Sequence, residues 1–228
     1  MKVMGHRGAA GLALENTLDS FELAKILGVD FIELDIHITK DGELAVVHDN
    51  NLSRVGNDNR AIKSMSYYSI SSVKLIDNKS YVPTLKEVLS ITGDLPLIIE
   101  IKSNGCIDKL LKVISDHPDR DITVASFKHG ELKKIRKKDP KIKIFALENT
   151  KPIEIIQFAA SQKLNGIGLN YWLLNPLTYF LAKRHKLSIY VYTVNNKIIG
   201  NIIRLIYPNV IICSDYPERF MTSKTPQK

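Results

Sequence analysis

The stretch FIELDIHITKDGELAVVHD, residues 31–49, decides the reading of this chain. Its first half alternates within a β-rich run, and Asp41-Gly42 is the strongest short-range signal for a tight hairpin. A two-residue loop sets Lys40 against Glu43 and, further down the ladder, Asp35 directly opposite His48. Opposed residues leave the same face of a sheet, with Cβ atoms roughly 5 Å apart. Glu33 shares that face, roughly 6.6 Å from Asp35 along the strand. A three-residue loop would shift the register and turn His48 away. Packing gives no reason to gather two acids and a histidine, because buried unpaired carboxylates are costly unless a cation or proton offsets them. A divalent metal is the simplest such cation.

Outward from the hairpin, strand-like and helix-like segments alternate. Residues 2–6, 97–102, 122–127, 142–147, 166–170, 188–194 and 210–213 read as further strands, and helical patterns lie between them. Asn16 is placed to cap the first helix and Gly28 to end it. Thr84-Leu85-Lys86-Glu87 is a capping box, and Asn175-Pro176 starts a later helix. Residues 50–82 read as irregular and polar, with a short helical piece at 67–74. About eight strands with helical crossovers predict an α/β chain, a closed (β/α)8 TIM barrel of parallel strands with a β-hairpin added after the second. Residues 1–221 are expected as a single domain and 222–228 as a polar tail. In such a barrel the chemistry sits at the C-terminal strand ends. His6, Glu33, Asp35, Glu100, Lys102, Asn195 and Asp215 all fall at or near them, and Tyr192, ending a strand, is expected as a wall of the pocket.

The net charge of +8 raises three partners: nucleic acid, a membrane surface or an anionic small molecule. Much of the excess sits in ELKKIRKKDPKIK, residues 131–143, where Leu132 and Ile135 make an inward stripe and the lysines a solvated face. No aromatic residue interleaves with them, so no nucleic acid is expected. No apolar run approaches the roughly 20 residues that span a bilayer, so stable membrane insertion is not expected. Met1-Lys2 leads straight into a strand without a signal-peptide pattern, which predicts a cytoplasmic protein. Cys106 and Cys213 fit no metal spacing and read as small apolar side chains. His37, His117, His129 and His185 read as structural, while Glu15 and Asn16 are split between capping and a place in the site.

An ordered set of short motifs adds to this reading: HRG at 6–8, ENT at 15–17, ELD at 33–35, TKDG at 39–42, VVHD at 46–49, PTLKEVL at 83–89, IEIK at 99–102, YTVN at 192–195 and SDYP at 214–217. Together they resemble the glycerophosphodiester phosphodiesterase family. The resemblance implies a TIM-barrel, metal-dependent enzyme that cleaves a small-molecule glycerophosphodiester to glycerol phosphate and an alcohol. It assigns Glu33, Asp35 and Glu100 as metal ligands, His6 and His48 as the acid/base pair, and Arg7 and Lys102 as phosphate-binding residues. The chain departs from the family where Leu14 stands for a proline and Tyr192 for a tryptophan.

Three carboxylates are hard oxygen ligands and suit Mg²⁺ or Ca²⁺, with Mn²⁺ a third candidate. His6 is expected as base and His48 as acid, since imidazole titrates near neutrality. Two other readings stand beside this one: a phospholipase D-like or phosphoinositide-cleaving enzyme, and a non-catalytic glycerol-phosphate-binding barrel. A lipid substrate needs an exposed apolar rim, for which Met65, Tyr67, Tyr68 and Ile70 are the candidates in 50–82. The oligomeric state is left open.

Overall fold

A computed structural model describes residues 2–221, and the tail expected over 222–228 lies outside the described residues. Runs such as Leu97–Ile101, LIIEI, are buried on both faces, as strands sandwiched between a barrel interior and a helical layer require. Among the described residues nine strands form: β1 (Val3–Gly5), β2 (Phe31–Ile38), β3 (Leu44–Val46), β4 (Leu97–Ile101), β5 (Ile122–Ser126), β6 (Lys143–Glu148), β7 (Gly166–Asn170), β8 (Ser188–Tyr192) and β9 (Ile211–Ser214). All but β3 pair in parallel, and β1 bonds both β2 and β9, which closes an eight-stranded ring. The short β3 is antiparallel to β2 and lies outside that ring. The fold is the expected TIM barrel with its added hairpin.

Side-chain parity makes two cores. Met4, Ile98, Phe145, Tyr190, Ile211 and Cys213 fill the interior, while alternate residues such as Leu34, Ile99, Val124 and Ile189 pack under the helices. The helices are α1 (Leu18–Leu27), α2 (Ser53–Gly56), α3 (Tyr67–Ser71), α4 (Leu85–Thr92), α5 (Ile107–Ser115), α6 (His129–Lys138), α7 (Pro152–Ser161), α8 (Pro176–Arg184) and α9 (Lys197–Ile206), of which α2 and α3 lie on the excursion after β3 and the rest cover the ring. Thr84 and Glu87 form the expected capping box, Asn175 caps α8, and Leu132 and Ile135 are the buried stripe of α6.

Five expectations are corrected. Thr17, not Asn16, caps α1, with Ser20 completing its capping box; Asn16 adopts φ 56°, which frees its amide for another task. The hairpin has the longer loop. Thr39 N donates to Glu43 O, and Ile36 pairs with Val46, so Asp35 stands across from Val47 rather than His48. The Asp41 carboxylate explains the extra residue, since it accepts from Thr39 Oγ1 at 2.6 Å and from Tyr67 N at 2.9 Å. Residues 50–82 are not simply irregular: Val47, Leu52, Val55, Ile62, Met65, Ile70, Leu75 and Val82 make a small core of their own. Met65 and Ile70 are therefore buried and form no exposed rim. The helix expected over 67–74 ends at Ser71.

Candidate active site

At the C-terminal end of the ring a pocket of about 380 Å³ opens, lined among others by His6, Arg7, Glu33, His48, Glu100, Lys102 and Tyr192. Its floor follows from pairing. The β2–β4 register sets Asp35 beside Glu100, and parity puts Glu33 on the same inward side. One oxygen from each of the three carboxylates falls within 4.8 Å of the others.

The loop after β1 is pinned across this floor. Arg7 takes φ 51°, a region a side chain seldom enters, and hydrogen bonds hold it there. Its N–H donates to Glu33 Oε2 at 2.9 Å, and its carbonyl accepts from Ser20 Oγ and Asn16 N. Gly8, at φ 86°, passes so close to Ser20 that a Cβ would collide with it. The Arg7 guanidinium donates to Glu15 Oε1 at 2.8 Å, while its Nε lies 3.3 Å from Asp35 Oδ2 without hydrogen-bond alignment. The freed Asn16 amide donates to Asp35 Oδ2 at 2.9 Å. Glu15 and Asn16 thus serve the site rather than the helix cap.

Charge on the floor is unbalanced. Lys102 Nζ lies 2.9 Å from Glu100 Oε1 and 3.6 Å from Asp35 Oδ1. With Arg7 it supplies two positive charges against three carboxylates. Burial, then repulsion from Asp35 and Glu100, pushes Glu33 well above the usual carboxylate range. Burial and Asp35 push Glu100 up to about 7 against the pull of Lys102. For Asp35 burial acts upward too, but Arg7, Lys102, His48 and the Asn16 hydrogen bond outweigh it and hold the carboxyl low. Such crowding resolves either by protonation or by a further cation. Asp35 Oδ1 is buried with no hydrogen-bond donor among the described residues. That orphan acceptor, within an all-oxygen donor set, fits a hard divalent ion.

An imidazole stands on each side. His6 Nδ1 lies 2.6 Å from Asp215 Oδ1, whose other oxygen accepts from Asn195 Nδ2 at 2.7 Å. His48 Nδ1 lies 2.6 Å from Asp49 Oδ1, and Asp49 accepts in turn from Arg54 Nε at 2.8 Å. Arg54 also donates to both oxygens of Glu15, which ties the His48 side back to Arg7. Lys102 Nζ donates to His48 Nε2 at 3.0 Å. Burial lowers the His48 pKa, as do Arg7 and Lys102, against Asp35 and Asp49. His48 reaches the pocket despite the shifted register because β3 ends at Val46 and the pleat no longer dictates where it points.

Tyr192 lines the pocket, its hydroxyl donating to Glu148 O at 2.9 Å and its ring 6.1 Å, centroid to centroid, from Phe127. Asn195 does not cap α9, a task left to Asn196, but supports Asp215. His37, His117 and His129 are engaged by the backbone carbonyls of His48, Val113 and Leu147. Asp49 and Arg54 were not singled out from sequence. Asp49 carried a signal as the neighbour of His48; Arg54, inside a polar stretch, carried none.

Two cations, three buried carboxylates and two imidazoles thus meet at one pocket, the kinds of group with which a phosphoric diester can be bound and cut. On a closed (β/α)8 ring they define a class, the barrel phosphodiesterases. Residues 6–219 match the glycerophosphoryl diester phosphodiesterase family, and the chain belongs to that family. It is 30% identical over 212 residues to a glycerophosphodiester phosphodiesterase of Caldanaerobacter subterraneus subsp. tengcongensis, covering 86% of each chain. It is 30% identical to a Bacillus subtilis glycerophosphodiester phosphodiesterase, covering 95% of this chain and 84% of that one. An Oleispira antarctica phosphodiesterase, solved with its product sn-glycerol-3-phosphate, has the same fold, with a TM-score of 0.90 at 21% identity over 96% of this chain and 94% of that one.

Proposed function

We propose that residues 1–221 act as one catalytic domain in the cytoplasm, hydrolysing glycerophosphodiesters to glycerol phosphate and an alcohol. Glu33, Asp35 and Glu100 hold Mg²⁺ or Ca²⁺, with Mn²⁺ a further candidate, and His6 and His48 move the protons. The observation that carries this reading is the meeting, in one pocket, of a carboxylate cluster left with excess negative charge and two imidazoles, each with an aspartate on Nδ1. The product named for the Oleispira enzyme supports the substrate class.

When bound, the divalent ion supplies Lewis-acid polarisation of a phosphate oxygen. Arg7 offers a planar fork to a second oxygen, and Lys102 a point charge. Asp215, accepting from His6 Nδ1–H, fixes the tautomer that leaves Nε2 free to take a proton from the nucleophile, either water or the glycerol's own 2-hydroxyl by way of a cyclic phosphate that water then opens. On the other side, burial first and then Arg7 and Lys102 hold His48 low, and the substrate's negative charge offsets the two cations. His48 thus gains the proton it hands to the departing alkoxide. Tyr192 and Phe127 wall the pocket beside Lys102.

The test is release of glycerol phosphate from a panel of glycerophosphodiesters, with and without chelator. Chelation is expected to abolish turnover and Mg²⁺ or Ca²⁺ to restore it. Turnover indifferent to chelator would remove the metal role of Glu33, Asp35 and Glu100.

A further inference from the structure

Helix α9 turns an apolar stripe away from the barrel. Ile198, Ile202, Leu205 and Ile206 recur at i, i+4, i+7 and i+8, a spacing that ordinarily marks a buried face. Here all four are exposed, Leu205 to 84% and Ile198 to 71%. The side facing the ring belongs to Gly200 and Ile203, and Phe220 packs on Gly200 so closely that a Cβ there would collide with it. The neighbouring α8 behaves alike: Thr178 and Ala182 are buried while Leu177 and Phe180 lie outside. Tyr179 of α8 packs on Tyr207, ring centroids 5.4 Å apart, and its hydroxyl donates to Pro208 O at 2.8 Å, so the two helices make one flank. Trp172, 75% exposed, stands two residues past the end of β7, at the end of the barrel that carries the pocket.

The charge of this flank has one sign. Residues 155–214 contain no aspartate or glutamate, while Arg184, Lys197 and Arg204 are exposed on α8 and α9. A second copy of the chain is a poor occupant, because an isologous contact would press the same cations together. A surface that is itself negative and yields to apolar side chains suits both features. We propose that the α8–α9 flank docks the protein peripherally on an anionic phospholipid bilayer. Ile198, Ile202, Leu205, Leu177 and Phe180 enter the boundary between headgroups and acyl chains, Trp172 takes the interfacial position that tryptophan favours, and the cations meet anionic headgroups. The attachment does not span: among the described residues no helix is long and apolar enough to cross a membrane. The flank stands outside the catalytic pocket, so this inference is independent of the acid/base assignment.

Flotation of the full chain with vesicles tests it, using equal parts phosphatidylcholine and phosphatidylglycerol, against phosphatidylcholine alone. Binding is expected only to the anionic vesicles and is expected to weaken with salt. Ile202→Glu with Leu205→Glu should lower the partition coefficient at least about tenfold, since each buried methylene lost counts. Arg184→Glu with Lys197→Glu and Arg204→Glu should lower it on the order of 10²-fold, at roughly fivefold for each cation removed. Both variants change exposed residues and should keep the parent's melting temperature and its turnover of a soluble glycerophosphodiester. Absence of flotation by the parent at low salt, or flotation of either variant equal to the parent, would overturn the proposal. So would a dimer in sedimentation velocity that the Ile202→Glu, Leu205→Glu variant abolishes, which would give the flank to a second copy.

Discussion

His6 and His48 each carry an aspartate on Nδ1 at 2.6 Å, but the two bonds are built from different parts of the chain. His6 follows the first strand and Asp215 the last, and they meet because β1 and β9 close the ring. His48 finds its partner in the next residue, on an extension outside the ring, and Arg54 steadies that partner. The first pair inherits its geometry from barrel closure. The second inherits it from the side core of residues 47–82, whose polar surface also contributes Arg54. Equal bond lengths thus conceal unequal support, and substitutions distinguish the two.

The largest effect is expected from the imidazoles themselves. His6→Ala and His48→Ala should each lower kcat by roughly 10² to 10⁴, the range for a lost proton-transfer group. Either variant turning over like the parent would remove that histidine from the chemistry. The supporting aspartates come next, since partners of this kind are worth roughly 10- to 100-fold. Asp215→Asn is expected near the upper end, because Asn195 and Ser214 are organised around it, and Asp49→Asn near the lower, because Arg54 and Lys102 still border His48. Equal losses in the two variants would erase the contrast. The smallest effect concerns the floor between the histidines and is read in stability. Glu33 and Glu100 have folded pKa values raised above their unfolded ones, so their contribution is full below about pH 4.5 and is lost as pH rises, for Glu100 through about 7. In chelator these two carboxyls should therefore lower the melting temperature by roughly 5 °C between pH 5 and pH 8, an effect opposed in part by His37 and His48, whose pKa values burial lowers. Added Mg²⁺ or Ca²⁺ should raise it more at pH 8 than at pH 5, and Glu100→Gln should blunt both responses. A cation response larger at pH 5 would contradict the cluster as a carboxylate site.

The ring was legible because buried parallel strands leave near-continuous apolar runs, and the floor because strand parity puts Glu33 and Asp35 on one side. The hairpin register was not, since Asp-Gly suits two- and three-residue loops alike and the Asp41 bond to Tyr67 N that favours the longer one comes from 26 residues away. The pairing of His6 with Asp215, 209 residues apart, needs the closed ring before it can be seen. The side core hid because positions 52, 55, 62, 65, 70 and 75 follow no single period. In α9 the period was plain, yet it says which residues share a face, not whether that face looks inward.

Closure of β1 onto β9 has a consequence for how the protein comes into being. During synthesis His6 is made 209 residues before Asp215. A nascent chain stopped short of β9 would hold both histidines but not Asp215, so the His6 side of the pocket is completed only when the last strand of the ring joins the first.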